Sequence, residues 1–140
     1  MKSDDVLAGW KTLWDADSSL GSLVPGGLSF ERVPSEKGSP YGILACEEGD
    51  REWTGKTSWI QPFTITVQVW SAAGPVDAGA IFDRVHEVFK RSTKSNLVVT
   101  GATRTVDLVP LPGKVTTEQT MRQGKDVLIS MGKWKVVLQF

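Results

Sequence analysis

The sequence predicts an α+β domain, with a mainly antiparallel sheet and two amphipathic helices packed on one face, in the order α-β-β-β-α-β-β-β. Three stretches carry that expectation. Phe63, Ile65, Val67 and Val69 alternate with Thr64, Thr66, Gln68 and Trp70. Successive strand side chains point to opposite faces, so this is a long antiparallel strand with one side on a core. Val6, Leu7, Trp10, Leu13 and Trp14 recur at three- and four-residue spacing, which lines up one apolar stripe along a helix. Ala78, Ile81, Phe82, Val85, Val88 and Phe89 repeat that spacing, with Asp83, Glu87, Lys90 and Arg91 on the opposite side.

In chain order, a first helix is expected over about 4–16. Ser3 is its candidate N-cap, and Asp4 and Asp5 lie where the helix dipole favours negative charge. Asp17–Gly27, with Asp, Ser, Pro and Gly clustered, reads as a loop. Leu28–Val33 alternates as a short strand, and Pro34–Pro40 is a polar hairpin or excursion. Tyr41–Glu47 reads as the next strand, with Tyr41, Ile43 and Ala45 on one face and Leu44 and Cys46 on the other. The long strand covers about 59–71. Pro62 cannot donate to a ladder, so its end is expected at a sheet edge or strand start. Ser71-Ala-Ala-Gly-Pro75 closes the strand and opens a helix over about 75–91, with Pro75 at a tolerated first position. Asp77 in its first turn and Lys90, Arg91 and Lys94 at its end suit the helix dipole. Short strands are expected at Leu97–Thr100 and Thr103–Leu111. Gly113–Gly124 is a polar segment too long for a tight turn, either flexible or ordered by a neighbouring subunit. The last strand or hairpin covers about 126–140, with Gly132 marking a bulge or turn. There Leu128 and Ser130 are read as opposed to Val127, Ile129 and Met131, before Trp134, Val136, Leu138 and Phe140. The expected core is Trp10, Trp14, Phe63, Ile65, Val67, Val69, Ile81, Phe82, Val85 and Phe89.

At 140 residues the chain is expected to be a single domain, 1–140, large enough for a core without staples. Its 40% hydrophobic and 23% charged residues are those of a soluble globular protein. No signal-like apolar run follows Met1, and no stretch reaches the length of a membrane span. The single Cys46 excludes an intrachain disulfide and fits a reducing compartment. Net charge is zero, but residues 1–70 hold ten acidic against six basic side chains, and residues 71–140 hold the reverse. A neutral total argues against nucleic-acid binding as the main role. The polarity suits copies that associate acidic side to basic side, and it equally fits scatter on a solvated surface.

No motif of catalysis is present: there is neither a strand-end nucleophile nor a Gly-rich phosphate loop. Enzymatic activity, a cofactor and a metal are therefore not expected. Glu47, Glu48, Asp50 and Glu52 cluster beside Gly49 and Gly55 but lack the ligand register of a calcium loop. The stretch 47–58 is either a solvated hairpin tip or a protrusion whose Trp53, with Trp59 beside it, docks on a partner. His86 lies at the margin of its helix stripe, with no second His or Cys nearby, and reads as a boundary residue. The basic trio near 90–94 reads as a helix C-terminal cap.

Pro40-Tyr41-Gly42-Ile43, the acidic loop, the Trp59–Trp70 strand and Gly74-Pro75 leading into Ala78-Gly79-Ala80-Ile81-Phe82 form a familiar layout. Over most of the chain it resembles the tail terminator (tail completion, head–tail joining) proteins of long-tailed bacteriophages. The resemblance implies a homo-oligomeric ring, usually of six subunits, that caps the tail tube, stops its elongation and meets the head–tail connector. Its implied partners are the tail tube protein and the connector, with no membrane. DNA would pass through without specific binding, past a wall that Glu47, Glu48, Asp50 and Glu52 would make repulsive. The implied location is the virion tail or neck, after assembly in the host cytoplasm. Another neck, connector or tube-like subunit, or a monomeric binding module, is the alternative. Assembly contacts are expected at Glu47, Glu48, Asp50, Glu52, Trp53 and Trp59, and at Lys114, Glu118, Arg122 and Lys125. The Pro62 end and the 126–140 strand are the expected edges for pairing between copies.

Overall fold

The computed structural model describes residues 2–30, 40–71, 75–111, 116–122 and 125–140. Its architecture is α+β, built on the long strand β4 (Trp59–Ser71). Before it come helices α1 (Lys2–Asp15) and α2 (Ser18–Leu23) and strands β1 (Leu28–Phe30), β2 (Tyr41–Glu48) and β3 (Glu52–Trp53). After it come helix α3 (Pro75–Val88), a 3-10 helix (Arg91–Asn96) and strands β5 (Arg104–Pro110), β6 (Thr116–Arg122) and β7 (Lys125–Gln139). Relative to the expected order, α2, β3 and β6 are additional, and no strand forms at Leu97–Thr100.

The described strands make one seven-stranded sheet ordered β1-β2-β4-β7-β5, with β3 also on β4 and β6 also on β7. Every pairing is antiparallel except β1 with β2, which is parallel. Both expected edges are therefore corrected. β4 is interior, flanked by β2 and β7, and β7 is interior, flanked by β4 and by β5 and β6 in succession. Pro62 is tolerated there because the strand opposite it breaks. β2 ends at Glu48 opposite Phe63, β3 resumes at Glu52 opposite Ile60, and Gly49 alone reaches the Pro62 carbonyl, at 2.8 Å. A Cβ on Gly49 would stand 2.7 Å from the proline ring, so the break needs both residues.

Gly132 is likewise neither bulge nor turn. β7 runs unbroken through it, with Gly132 opposite Val67. Ser130 therefore shares a face with the buried Trp134, Val136 and Leu138, and the expected change of face does not occur. The glycine makes room: an added Cβ would lie 3.1 Å from both Phe82 and Trp134. The polar stretch 113–124 is corrected as well. Its 116–122 part is β6, hydrogen-bonded to β7 from Thr116 opposite Met131 to Arg122 opposite Lys125. The 31–39 part of the expected strand and excursion lies outside the described residues.

Helices α1 and α3 cover the face of β4 that carries Phe63, Ile65, Val67 and Val69, all buried with Leu44, Trp134, Val136 and Leu138. Trp10 lies flat on Phe89, ring centroids 3.7 Å apart, and meets the edge of Trp134 at 5.6 Å. Aromatic rings bury the largest apolar areas, so this triplet fixes how the two helices seat on the sheet. Trp14, Ile81, Phe82 and Val85 complete the same buried cluster.

Three end caps differ from expectation. Ser3 lies inside α1, and its backbone N–H donates to the Glu48 carboxylate at 3.1 Å, so the sheet caps the helix. Asp17 ends the expected loop reading: it is the N-cap of α2, accepting from the Leu20 N–H at 2.9 Å. At the end of α3 the basic trio does not cap the helix. The Thr93 hydroxyl bonds the Val88 carbonyl at 2.8 Å, and the Trp134 indole N–H donates to the Phe89 carbonyl at 3.0 Å.

Candidate functional site

The structure brings together part of the expected assembly surface and separates the rest. Residues 47–59 form one end. Thr54 and Ser58 close its tip through a backbone bond of 3.0 Å, and Glu47, Glu48, Asp50, Glu52 and Trp53 are all exposed. Trp53 is 57% exposed, and behind it a chain of rings runs into the core. Trp53 meets Trp59 at 5.1 Å, Trp59 stacks on Phe140 at 5.5 Å, and Phe140 meets the buried Phe63 at 6.4 Å. Reciprocal backbone bonds hold Trp59 to Phe140, and the Arg51 guanidinium lies 4.9 Å above the Trp59 ring. The exposed indole is thus mounted on a rigid column, the arrangement of an interface anchor.

The second expected group stands elsewhere. Glu118 and Arg122 are on β6 and Lys125 opens β7, where only the backbone is described; Lys114 lies outside the described residues. Trp59 and Ser71 are the opposite ends of the thirteen-residue β4. At about 3.4 Å per residue, the tip and the β6–β7 hairpin are separated by about 40 Å.

Charged side chains elsewhere are largely committed to holding elements together. Arg84 on α3 makes a two-pronged pair with Asp17, joining α3 to the start of α2. The Arg84 hydrogen bonds hold the Asp17 carboxyl below its usual range. A depressed carboxylate stabilises the fold fully above its unfolded pKa of about 3.9, and that share is lost as pH falls through the folded value. Asp17→Ala is expected to cost about 0.5–2 kcal/mol at pH 7 through the lost cap. Asp17→Asn keeps a capping oxygen but drops the charge, so its urea midpoint should fall less steeply below pH 4 than that of the parent. Arg91 binds Asp107 at 3.0 and 3.2 Å, lowering that carboxyl too, and Lys94 reaches the Val106 carbonyl at 3.0 Å. Lys90 pairs with Glu87 at 2.6 Å.

His86 stands 4.9 Å from the Trp134 ring, and burial pulls its pKa below the usual imidazole range against the opposing pull of Asp83. Among the described residues no group of three or more His, Cys, Asp or Glu is placed to hold a metal. No described helix is long and apolar enough to cross a membrane.

One surface had no sequence signal. Leu97–Thr100 does not join the sheet but packs under α1, where the Val98 carbonyl lies 2.6 Å from the place a Gly9 Cβ would occupy. Its turn at Gly101, φ +86°, leads into β5. Beside it opens a cleft of about 330 Å³ lined by Leu97, Val98, Val99 and Ala102, with Lys94 and Arg104 among its polar lining. Val98 is 76% exposed at its mouth.

No protein-family model matches the chain. No curated protein matches it either. The fold does have a counterpart. It is similar to a chain in a solved structure of the virion of a native gene transfer agent particle, at 18% identity and a TM-score of 0.63, over 98% of this chain and 97% of that one. At that identity the likeness is one of fold, and it extends from end to end. A second solved chain aligns over 97% of this chain and 96% of its own at 12% identity, but its TM-score of 0.47 does not establish a common fold.

Proposed function

We propose that this chain is a structural subunit of a phage-type particle and that it acts as a tail terminator. In this reading copies close into a ring, usually of six, on the end of the tail tube. The ring stops tube growth and offers its other side to the head–tail connector, while DNA passes through without specific binding. Its work is association rather than chemistry, in the tail or neck of a virion put together in the host cytoplasm.

The observation that carries the reading is the end-to-end fold likeness to a chain of a virion particle. The sheet supports it. The two ends of β4 lie far apart, so one end of the sheet can face a tube while the other, at the β6–β7 hairpin, faces a connector. A ring also needs contacts between unlike surfaces that close by rotation, and this fold presents different strands at its two edges.

Electron microscopy of the purified protein, alone and mixed with tail tubes, tests the proposal. Closed rings, with one ring seated at a tube end, are the expected result. Open tubes built from this protein would instead make it a tube-type subunit, and persistent monomers beside bare tube ends would remove the assembly role.

A further inference from the structure

We infer that the Trp53 tip of one copy docks into the Leu97–Ala102 cleft of the next, forming the contact that closes the ring. The inference rests on the assembly role proposed above and supplies its interface. The observations behind it come from two places in the molecule that are not in contact with each other.

The first is a knob. Trp53 is 57% exposed and is backed by Trp59, Phe140 and Phe63, so an indole is held out from the surface at little cost in side-chain freedom on binding. The flanking side chains Asp50 and Glu52 are acidic and exposed. Arg51, the basic residue between them, is turned onto the Trp59 ring, and Lys56 stands further out in the tip.

The second is a socket. The cleft beside β5 has an apolar lining of Leu97, Val98, Val99 and Ala102 and a volume of about 330 Å³. Its charged lining residues are both basic, Lys94 and Arg104. Lys94 donates one hydrogen bond to the Val106 carbonyl and Arg104 donates its Nε–H to the Gln139 amide oxygen, which leaves further N–H groups on each cation. An acid-rimmed aromatic therefore has a base-rimmed apolar cleft as its complement.

Placement decides that the two belong to different copies and to one ring. Trp53 is opposite Trp59 on β4, Ile60 next to it is opposite Gln139 on β7, and Gln139 is opposite Arg104 on β5. Knob and socket therefore lie at the same end of the sheet, on its two opposite edges. Three interstrand steps separate them, about 14 Å, so no copy can fill its own socket. Two complementary features on opposite edges at one level generate a head-to-tail contact, and such a contact repeated by rotation closes a ring. It also places Asp50 and Glu52 in the wall between copies rather than in the lumen.

The test is directed cross-linking in a Cys46→Ser background that keeps Trp53, with Thr54→Cys in the exposed tip beside it and Val98→Cys at the cleft, carried on one chain or on separate chains. Under mild oxidation with tail tubes present, the double variant is expected to give a disulfide-linked ladder. The two single variants, mixed, are expected to give dimers only, because each chain then carries one cysteine, and the bond itself requires Cα atoms within about 7 Å. Glu52→Lys or Arg104→Glu alone is expected to reduce ring formation at least tenfold, and the pair together to restore it. If rings form but no ladder appears and the charge exchange leaves ring formation unchanged, the knob-and-socket contact is wrong and the assembly role stands. If no association occurs with any variant or with the parent chain, both are wrong.

Discussion

Replacing Trp10 by Ala is expected to lower stability by about 3–5 kcal/mol, the loss that follows from emptying a large aromatic site in a packed core. Trp10 is fully buried between Phe89, stacked on it at 3.7 Å, and Trp134. Its indole N–H separates packing from hydrogen bonding, because nothing among the described residues accepts from it. Trp10→Phe keeps a ring on Phe89 and removes a buried donor that has no partner, so it should cost less than about 2 kcal/mol. Trp134 is the contrasting case. Its N–H satisfies the Phe89 carbonyl at the end of α3, and Trp134→Phe orphans that carbonyl at an additional cost of about 1–3 kcal/mol. Urea unfolding of the three variants measures this directly. Equal losses for Trp10→Phe and Trp134→Phe would contradict the account of the core.

Gly9→Ala should destabilise the protein by up to about 2 kcal/mol, although the same change in an open helix stabilises. Alanine gains about 1 kcal/mol over glycine within a helix. At Gly9 that gain is outweighed, because the new Cβ would sit 2.6 Å from the Val98 carbonyl and 3.3 Å from Val99. The obstacle is backbone, so α1 must lift away from the segment beneath it, and overpacking of this kind costs about 1–3 kcal/mol. Gly79 on α3 is the control. Nothing lies within 4 Å of its would-be Cβ, and it is exposed, so Gly79→Ala should stabilise by about 0.5–1 kcal/mol. Thermal or urea midpoints of the two variants should move in opposite directions. A shift in the same direction would mean that α1 does not rest on 97–99.

The periodic stretches were the legible part of the fold. Alternation around Phe63–Val69 and helical spacing around Trp10 and Phe82 depend only on local geometry, and both faces lie where that geometry puts them. What was not legible depended on distant partners. Pro62 looks like an edge residue until Gly49 and the break between β2 and β3 are seen opposite it. Gly132 looks like a bulge until Phe82 is seen against it. Leu-Val-Val-Thr at 97–100 has the β-branched composition of a strand, but it is held under α1 through Gly9. Thr116–Arg122 carries no apolar alternation, yet it is a strand because β7 offers it a ladder. Asp17 was the one missed element with a local signal: an Asp before Ser-Ser-Leu is a ready helix cap. At the surface, Trp53 was legible as an exposed aromatic among acids, whereas the cleft it is assigned to was not, since its walls come from a segment misread as strand.

This α+β domain is proposed to work by closing with its own copies on the end of a tail tube. Electron micrographs of tail tubes assembled with and without the protein test it most directly. Tubes ending in one closed ring and ceasing to lengthen when the protein is present are the predicted result. Tubes that grow to the same lengths with bare ends, whatever the protein concentration, would contradict it.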